Sequence, residues 1–183
     1  MHAEPAKEVP LDIGVSESPQ PTPGDVARDA TCNIVLYQPE IPQNTGNIGR
    51  TCVAIGAKLW IVRPTGFRID DRNLRRAGMD YWRHLAWEMV DDYSLLAPKL
   101  PAGRTFYITK FAERTIYDVA FRPGDFFVFG RESNGLPQSL REAHADQCLR
   151  IPMLEVARSL NLANSVAVVA YELVRQQAAR NSP

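Results

Sequence analysis

Asn33-Ile34-Val35-Leu36-Tyr37, then Gln38-Pro39-Glu40-Ile41-Pro42, then Asn44-Thr45-Gly46-Asn47-Ile48-Gly49-Arg50 is the stretch on which the fold turns. The first run is apolar enough for a strand buried on both faces. Proline fixes its own φ and disfavours helix at the residue before it, so Pro39 to Pro42 reads as an extended turn. Beyond the turn, Ile48, Cys52, Val53 and Ile55 form a helical stripe that stops at Gly56, a good carboxyl-terminal signal. A buried strand, a polar turn and an amphipathic helix are the opening of an α/β unit.

The same alternation continues outward from that unit. Strands are predicted at 59–62, 84–90, 105–109, 125–129 and 148–151. Short helices are predicted at 72–78, 92–100 and 137–143, the last opening with Pro137 at a helix start. A long helix is predicted over 162–177, and its stretch from Val166 to Tyr171 is apolar on every face. Such a helix must be almost wholly buried, inside the chain or in a dimer interface. The fold class is therefore α/β, a mostly parallel sheet with helices on both faces.

Length and composition bound what that sheet can serve. The chain has 183 residues, 45% hydrophobic and 23% charged, which suits one globular domain over residues 31–180. Residues 1–30 carry five prolines and no aromatic residue, and read as a disordered leader. No apolar run approaches the ~18 residues a membrane span needs, and no secretory signal is visible, so a cytoplasmic location is expected. Cys32, Cys52 and Cys148, like His2, His84 and His144, lack metal-ligand spacing, and no metal is expected. The leader holds six acids and two bases, leaving 19 basic and 15 acidic residues in the body. A mildly basic body is compatible with an RNA partner without establishing one.

Two further blocks place polar residues where strands end. In Phe129-Gly130-Arg131-Glu132-Ser133-Asn134-Gly135-Leu136-Pro137, a side chain at Gly130 would obstruct a flat ligand lying on the backbone, and Gly135 permits a positive φ. Glu132 and Asn134 can bind a ligand or simply close the loop. In Ile151-Pro152-Met153 through Ser159-Leu160-Asn161-Leu162-Ala163-Asn164-Ser165, either Ser159 or Asn161 can cap the last helix. The amides at that helix start also suit an anionic or carbonyl group. Neither GxGxxG nor GxxxxGK[ST] occurs, which excludes the common dinucleotide and nucleoside-triphosphate cradles.

These blocks, together with Arg75-Arg76-Ala77-Gly78-Met79-Asp80-Tyr81 and Tyr171-Glu172, closely resemble the small bacterial SPOUT RNA methyltransferases over residues 32–178. Within that family the resemblance is to the enzymes that methylate the wobble ribose of tRNA. It implies a deep trefoil knot in the carboxyl-terminal part, a homodimer, and S-adenosyl-L-methionine as methyl donor. The family's cofactor contacts fall here on Ile108, Gly130, Ile151, Ser159 and Leu160. Its catalytic arginine falls on Arg50. Asn44, Arg72, Arg75 and Arg76 are candidate contacts to the tRNA anticodon stem-loop, the last three being equally a solvated helix face.

The implied reaction is in-line attack of a ribose 2′-oxygen on the sulfonium methyl, a poor nucleophile that needs proton removal or charge stabilisation. A guanidinium stays protonated below pH ~12, so a cation stabilising the developing alkoxide is easier to defend for Arg50 than a base. Glu132 is a conceivable proton acceptor. Arg131 stands where the family commonly has proline, and Glu155-Val156-Ala157 replaces a more polar turn. The competing readings are a SPOUT 2′-O-methyltransferase acting on rRNA or another tRNA position, and a catalytically silent RNA-binding knot protein.

Overall fold

The computed structural model describes residues 30–68 and 80–181 of the chain. The leader, the helix expected at 72–78 and its Arg72, Arg75 and Arg76 lie outside the described residues. Among the described residues six strands form one sheet: β1 (Asn33–Tyr37), β2 (Lys58–Val62), β3 (Trp87–Val90), β4 (Thr105–Ile108), β5 (Phe126–Phe129) and β6 (Cys148–Leu149). Their spatial order is β3-β2-β1-β5-β4-β6, and each neighbouring pair runs parallel. From β1 the chain first builds outward through β2 and β3, then crosses to the other side. The order therefore reverses between β1 and β5, and such a reversal leaves a crevice beyond the carboxyl ends of the strands.

Helices cover both faces, as a parallel sheet requires. Alternate strand residues define the two sides. Ile34, Leu36, Ile61 and Phe127 face α1 (Pro42–Ile55) and α4 (Leu162–Asn181), meeting Ile48, Cys52, Val166 and Leu173. Val35, Trp60 and Val128 face the opposite way, toward Leu96 of α2 (Tyr93–Leu96) and Leu140 of α3 (Gln138–Ala143). All three cysteines are buried and free, and burial pushes the Cys32 thiol up to about 12. Among the described residues no helix is long and apolar enough to cross a membrane.

Besides β3, which begins at Trp87 and not at 84 because Asp80–His84 forms a 3-10 turn, three differences from the sequence expectation bear on the site. First, α1 begins at Pro42, with proline occupying the first helical position, so Asn44, Gly46 and Gly49 lie inside the helix. Proline lacks an N–H, and that position has no intrahelical partner for one, so the residue that ends the turn also starts the helix. The helix still stops at Gly56, whose φ of 68° is the left-handed cap. Second, β6 is only Cys148–Leu149, because Arg150 pairs instead with Thr115 as an isolated bridge. Third, α4 continues to Asn181 and is not wholly covered: Val168 and Tyr171 are 38% and 51% exposed.

Candidate active site

A cavity of about 690 Å³ opens at the carboxyl ends of β4, β5 and β6, beside the start of α1. Its size falls in the range of small-molecule sites, roughly 300–1,000 Å³. Ile108, Gly130, Ile151, Ser159 and Leu160 all line it, as does Asn44. The residues expected to hold the methyl donor are thus brought together from four separate segments. Thr109, Lys110, Phe111, Arg131, Met153 and Arg158 also line it, and the sequence reading did not assign them to the site. The signal available for Lys110 and Phe111 was their position immediately after a buried strand.

Gly130 is required for a reason different from the expected one. A Cβ there would sit 2.1 Å from both Gly135 C and Leu136 N. The loop folds back on itself, Arg131 and Gly135 exchanging backbone hydrogen bonds of 3.2 and 2.9 Å. The side chain is excluded by the loop's own return strand, and the rim of the cavity is thereby fixed.

The start of α1 is capped from a distance. Ile41 precedes it and has no side chain able to cap, and no acid lies in its first turn. Glu132, arriving from the β5–α3 loop, supplies the missing charge: its carboxylate accepts Glu40 N at 2.8 Å, Ile41 N at 3.2 Å and Asn44 Nδ2 at 3.0 Å. A carboxylate at a helix N-terminus gains from the free amides and the helix dipole. Glu40 reciprocates, accepting Ser133 N at 2.9 Å and Ser133 Oγ at 2.8 Å. Those two bonds hold the Glu40 carboxyl below its ordinary value of 4.5. Glu132, expected as a conceivable proton acceptor, is committed to this clamp.

Asn161 caps α4, its Oδ1 accepting from Ala163 N at 2.8 Å and Asn164 N at 3.3 Å. Its other end, Nδ2, donates to Asn44 Oδ1 at 2.9 Å. Asn44 therefore joins the Glu132 loop to the last helix. Ser159, the other expected cap, is exposed in the loop before it.

Arg50 is not among the residues lining the cavity of its own chain. Six residues beyond Asn44, it lies about 9 Å further along α1 and about a third of a turn around it. Its exposed guanidinium stands 5.0 Å from the centre of the Tyr81 ring. Tyr81 in turn donates its hydroxyl to Gly46 O at 2.7 Å. Gly49 allows that approach, since a Cβ there would come within 2.7 Å of Trp82. Burial raises the Tyr81 phenol above its usual value against the lowering effect of Arg50. The arginine is oriented, but toward the outside of the protomer. Among the described residues no group of three or more His, Cys, Asp or Glu could hold a metal ion.

With that geometry in view, the comparisons are specific. A sequence profile of the SpoU rRNA Methylase family matches residues 31–171. A Bacillus subtilis strain 168 protein is 49% identical over 148 residues, 79% of this chain and 92% of its own. The Escherichia coli K12 tRNA (cytidine(34)-2'-O)-methyltransferase is 46% identical over 145 residues, 79% of this chain and 92% of its own. A solved structure concerned with 2-OH methylation of C/U34 on tRNA shares 45% identity and a TM-score of 0.75, covering 81% of this chain and 97% of its own. The SpoU methyltransferase AviRb from Streptomyces viridochromogenes, in complex with AdoMet, has the same fold at 24% identity and a TM-score of 0.70, covering 82% of this chain and 59% of its own. The profile spans most of the chain, the Bacillus subtilis and Escherichia coli relatives are 49% and 46% identical over 79% of it, and the chain belongs to the SpoU rRNA methylase family.

Proposed function

We propose that this protein transfers the methyl group of S-adenosylmethionine to the ribose 2′-hydroxyl of the wobble nucleotide, cytidine or uridine 34, of tRNA. The carrying observation is the Ile108–Gly130–Ile151–Ser159–Leu160 cavity in a chain 46% identical to an enzyme named for that reaction. The lining fits the donor. Ile108, Ile151 and Leu160 offer apolar walls for a flat base, while the backbone at Gly130 and Ile151 offers polar groups to its edge. When bound, the donor would supply an electrophilic sulfonium methyl and depart as the neutral thioether, the hydroxyl's proton passing to water.

The chain's own residues do the rest. Arg50 is a cation placed to stabilise the alkoxide that develops on the attacked ribose and to hold the adjoining phosphate. It is not a base, since a guanidinium does not give up its proton near neutrality. Glu132, Asn44 and Asn161 keep the cavity rim and the two helix starts in register. Asn44 is thus a positioning residue first, whatever contact it makes with RNA.

The protein acts as a homodimer in which one protomer's Arg50 completes its partner's cavity. Support comes from the exposure of Arg50 away from its own cavity, and from Val168 and Tyr171 standing uncovered on α4, which packs against α1. The carboxyl-terminal segment is threaded as a trefoil knot. In favour of threading, β6 enters beside β4, Arg150 is bonded on both sides by residues 114–116, and Lys110 reaches back to Arg158 O at 3.3 Å. A tRNA substrate places the reaction in the cytoplasm.

Mapping 2′-O-methylation in tRNA from cells lacking this gene tests the proposal. Loss confined to nucleotide 34, restored by the intact gene, is the expected result. Unchanged methylation there, or loss at a ribosomal RNA site instead, would refute it.

A further inference from the structure

We propose that Phe111, in the wall of the cavity, is a stacking platform for the base of the acceptor nucleotide, polarised by the neighbouring cations Arg141 and Lys110. The inference rests on the RNA-methyltransferase reading above and deepens it by naming how the unpaired nucleotide is held.

Phe111 lines the cavity and yet is 63% exposed. A tight turn puts it there: Thr109 N continues the sheet by donating to Leu149 O at 2.9 Å, and Thr109 Oγ1 then accepts from Phe111 N at 3.4 Å. The alternation that buries Tyr107 is broken, and the ring swings outward. A lone exposed aromatic needs no explanation, but this one is not alone. The Arg141 guanidinium lies 4.3 Å from the ring centre and Lys110 Nζ 5.4 Å from it. Arg141 is itself anchored, its Nε donating to Leu136 O at 3.3 Å. Lys110 is held by Arg158 O at 3.3 Å. The cations keep the ring in place and draw its electron density toward them.

Charge selects the occupant. Lys110, Arg131 and Arg158 line the cavity as cations, and the one acid lining it among the described residues, Glu132, is engaged by three donors. The methyl donor carries a net positive charge, so surplus cations are not there for its sake. They suit a polyanion. An exposed ring flanked by arginine and lysine is the pairing that receives splayed RNA bases, the ring for the base face and the cations for its phosphates. The base of the acceptor nucleotide is the one that must be nearby, because its C1′ is bonded to the carbon bearing the attacked oxygen.

The test uses the intact protein and an anticodon stem-loop RNA. Phe111→Ala should raise KM for the RNA about tenfold, with kcat and calorimetric S-adenosylmethionine affinity each within about twofold of wild type. Phe111→Trp should restore KM, and Phe111→Leu, apolar but without a π face, should not. An abasic ribose at the acceptor position should cost the wild type as much as Phe111→Ala does, and cost that variant nothing more. An unchanged KM, full rescue by leucine, or a parallel loss of cofactor affinity would overturn the assignment. Wild-type turnover of the same RNA reports separately on the reading beneath it.

Discussion

The Asn44 side-chain amide donates to the Glu132 carboxylate across 3.0 Å, joining residues 88 positions apart in the chain. Asn44 is 5% exposed and spends its other polar atom on Asn161, 117 positions away. Three segments far apart in the sequence, the start of α1, the loop of Glu132 and the start of α4, are thereby locked around one cavity. Removing a partner from a buried pair strands the other, which costs about 1–3 kcal/mol, more for a charged group. Asn44→Ala should therefore lower unfolding stability by about that amount in urea at fixed protein concentration, and weaken S-adenosylmethionine binding. Wild-type stability and affinity together would show the clamp to be idle.

Gly130→Ala tests the rim directly. The added methyl has backbone, not a flexible side chain, 2.1 Å away, so the loop must open to admit it. Overpacking of this kind costs about 1–3 kcal/mol. Calorimetric cofactor affinity should fall at least tenfold while the far-ultraviolet spectrum stays native. An unchanged affinity would mean that the loop's return strand does not shape the site.

Acid should release the Glu40–Ser133 anchor. The Glu40 carboxyl titrates below its ordinary value of 4.5 because Ser133 donates two hydrogen bonds to its ionised form. A depressed carboxylate contributes stability that is fully present above the unfolded value and is lost as pH falls through the folded one. The stability difference between wild type and Glu40→Gln should be constant at neutral pH and close progressively below about 4.5. Urea titrations across that window measure it, and a gap that widens on acidification would contradict the sign.

Arg50→Ala should cut methylation at least a hundredfold and leave cofactor affinity within about twofold, because the guanidinium serves the ribose and its phosphate and not the methyl donor. Co-expression with Gly130→Ala then asks which cavity it serves. If the arginine acts across the dimer, mixed dimers hold one complete site, and about a quarter of wild-type turnover returns. If it acts within its own chain, mixing restores nothing.

What the sequence made legible was local. The β1 run, the end of α1 at Gly56 and the buried strands β4 and β5 follow from hydrophobic periodicity and one glycine cap, all within a few neighbours. Five candidate cofactor contacts were legible only because their motifs resemble a family, and all five line the cavity. Glu132 was open to misreading because nothing near it reveals that α1 lacks a cap of its own. Arg50 was legible as the resembling family's arginine, but its place outside its own chain's cavity and beside the Tyr81 ring depends on a turn at Asp80–His84, 30 residues further on. Phe111 was invisible for the converse reason: its partner Arg141 comes from α3, 30 residues later.

The atom that receives the methyl group decides the function most directly. The purified protein should be incubated with methyl-labelled S-adenosylmethionine and either an anticodon stem-loop or the same RNA carrying a 2′-deoxyribose at nucleotide 34. Label should enter the first RNA alone and make its 34–35 phosphodiester resistant to alkali, since the hydroxyl that would attack it is capped. Equal labelling of the deoxy substrate, or label with the 34–35 bond still cleaved, would place the methyl on another atom and contradict the assignment.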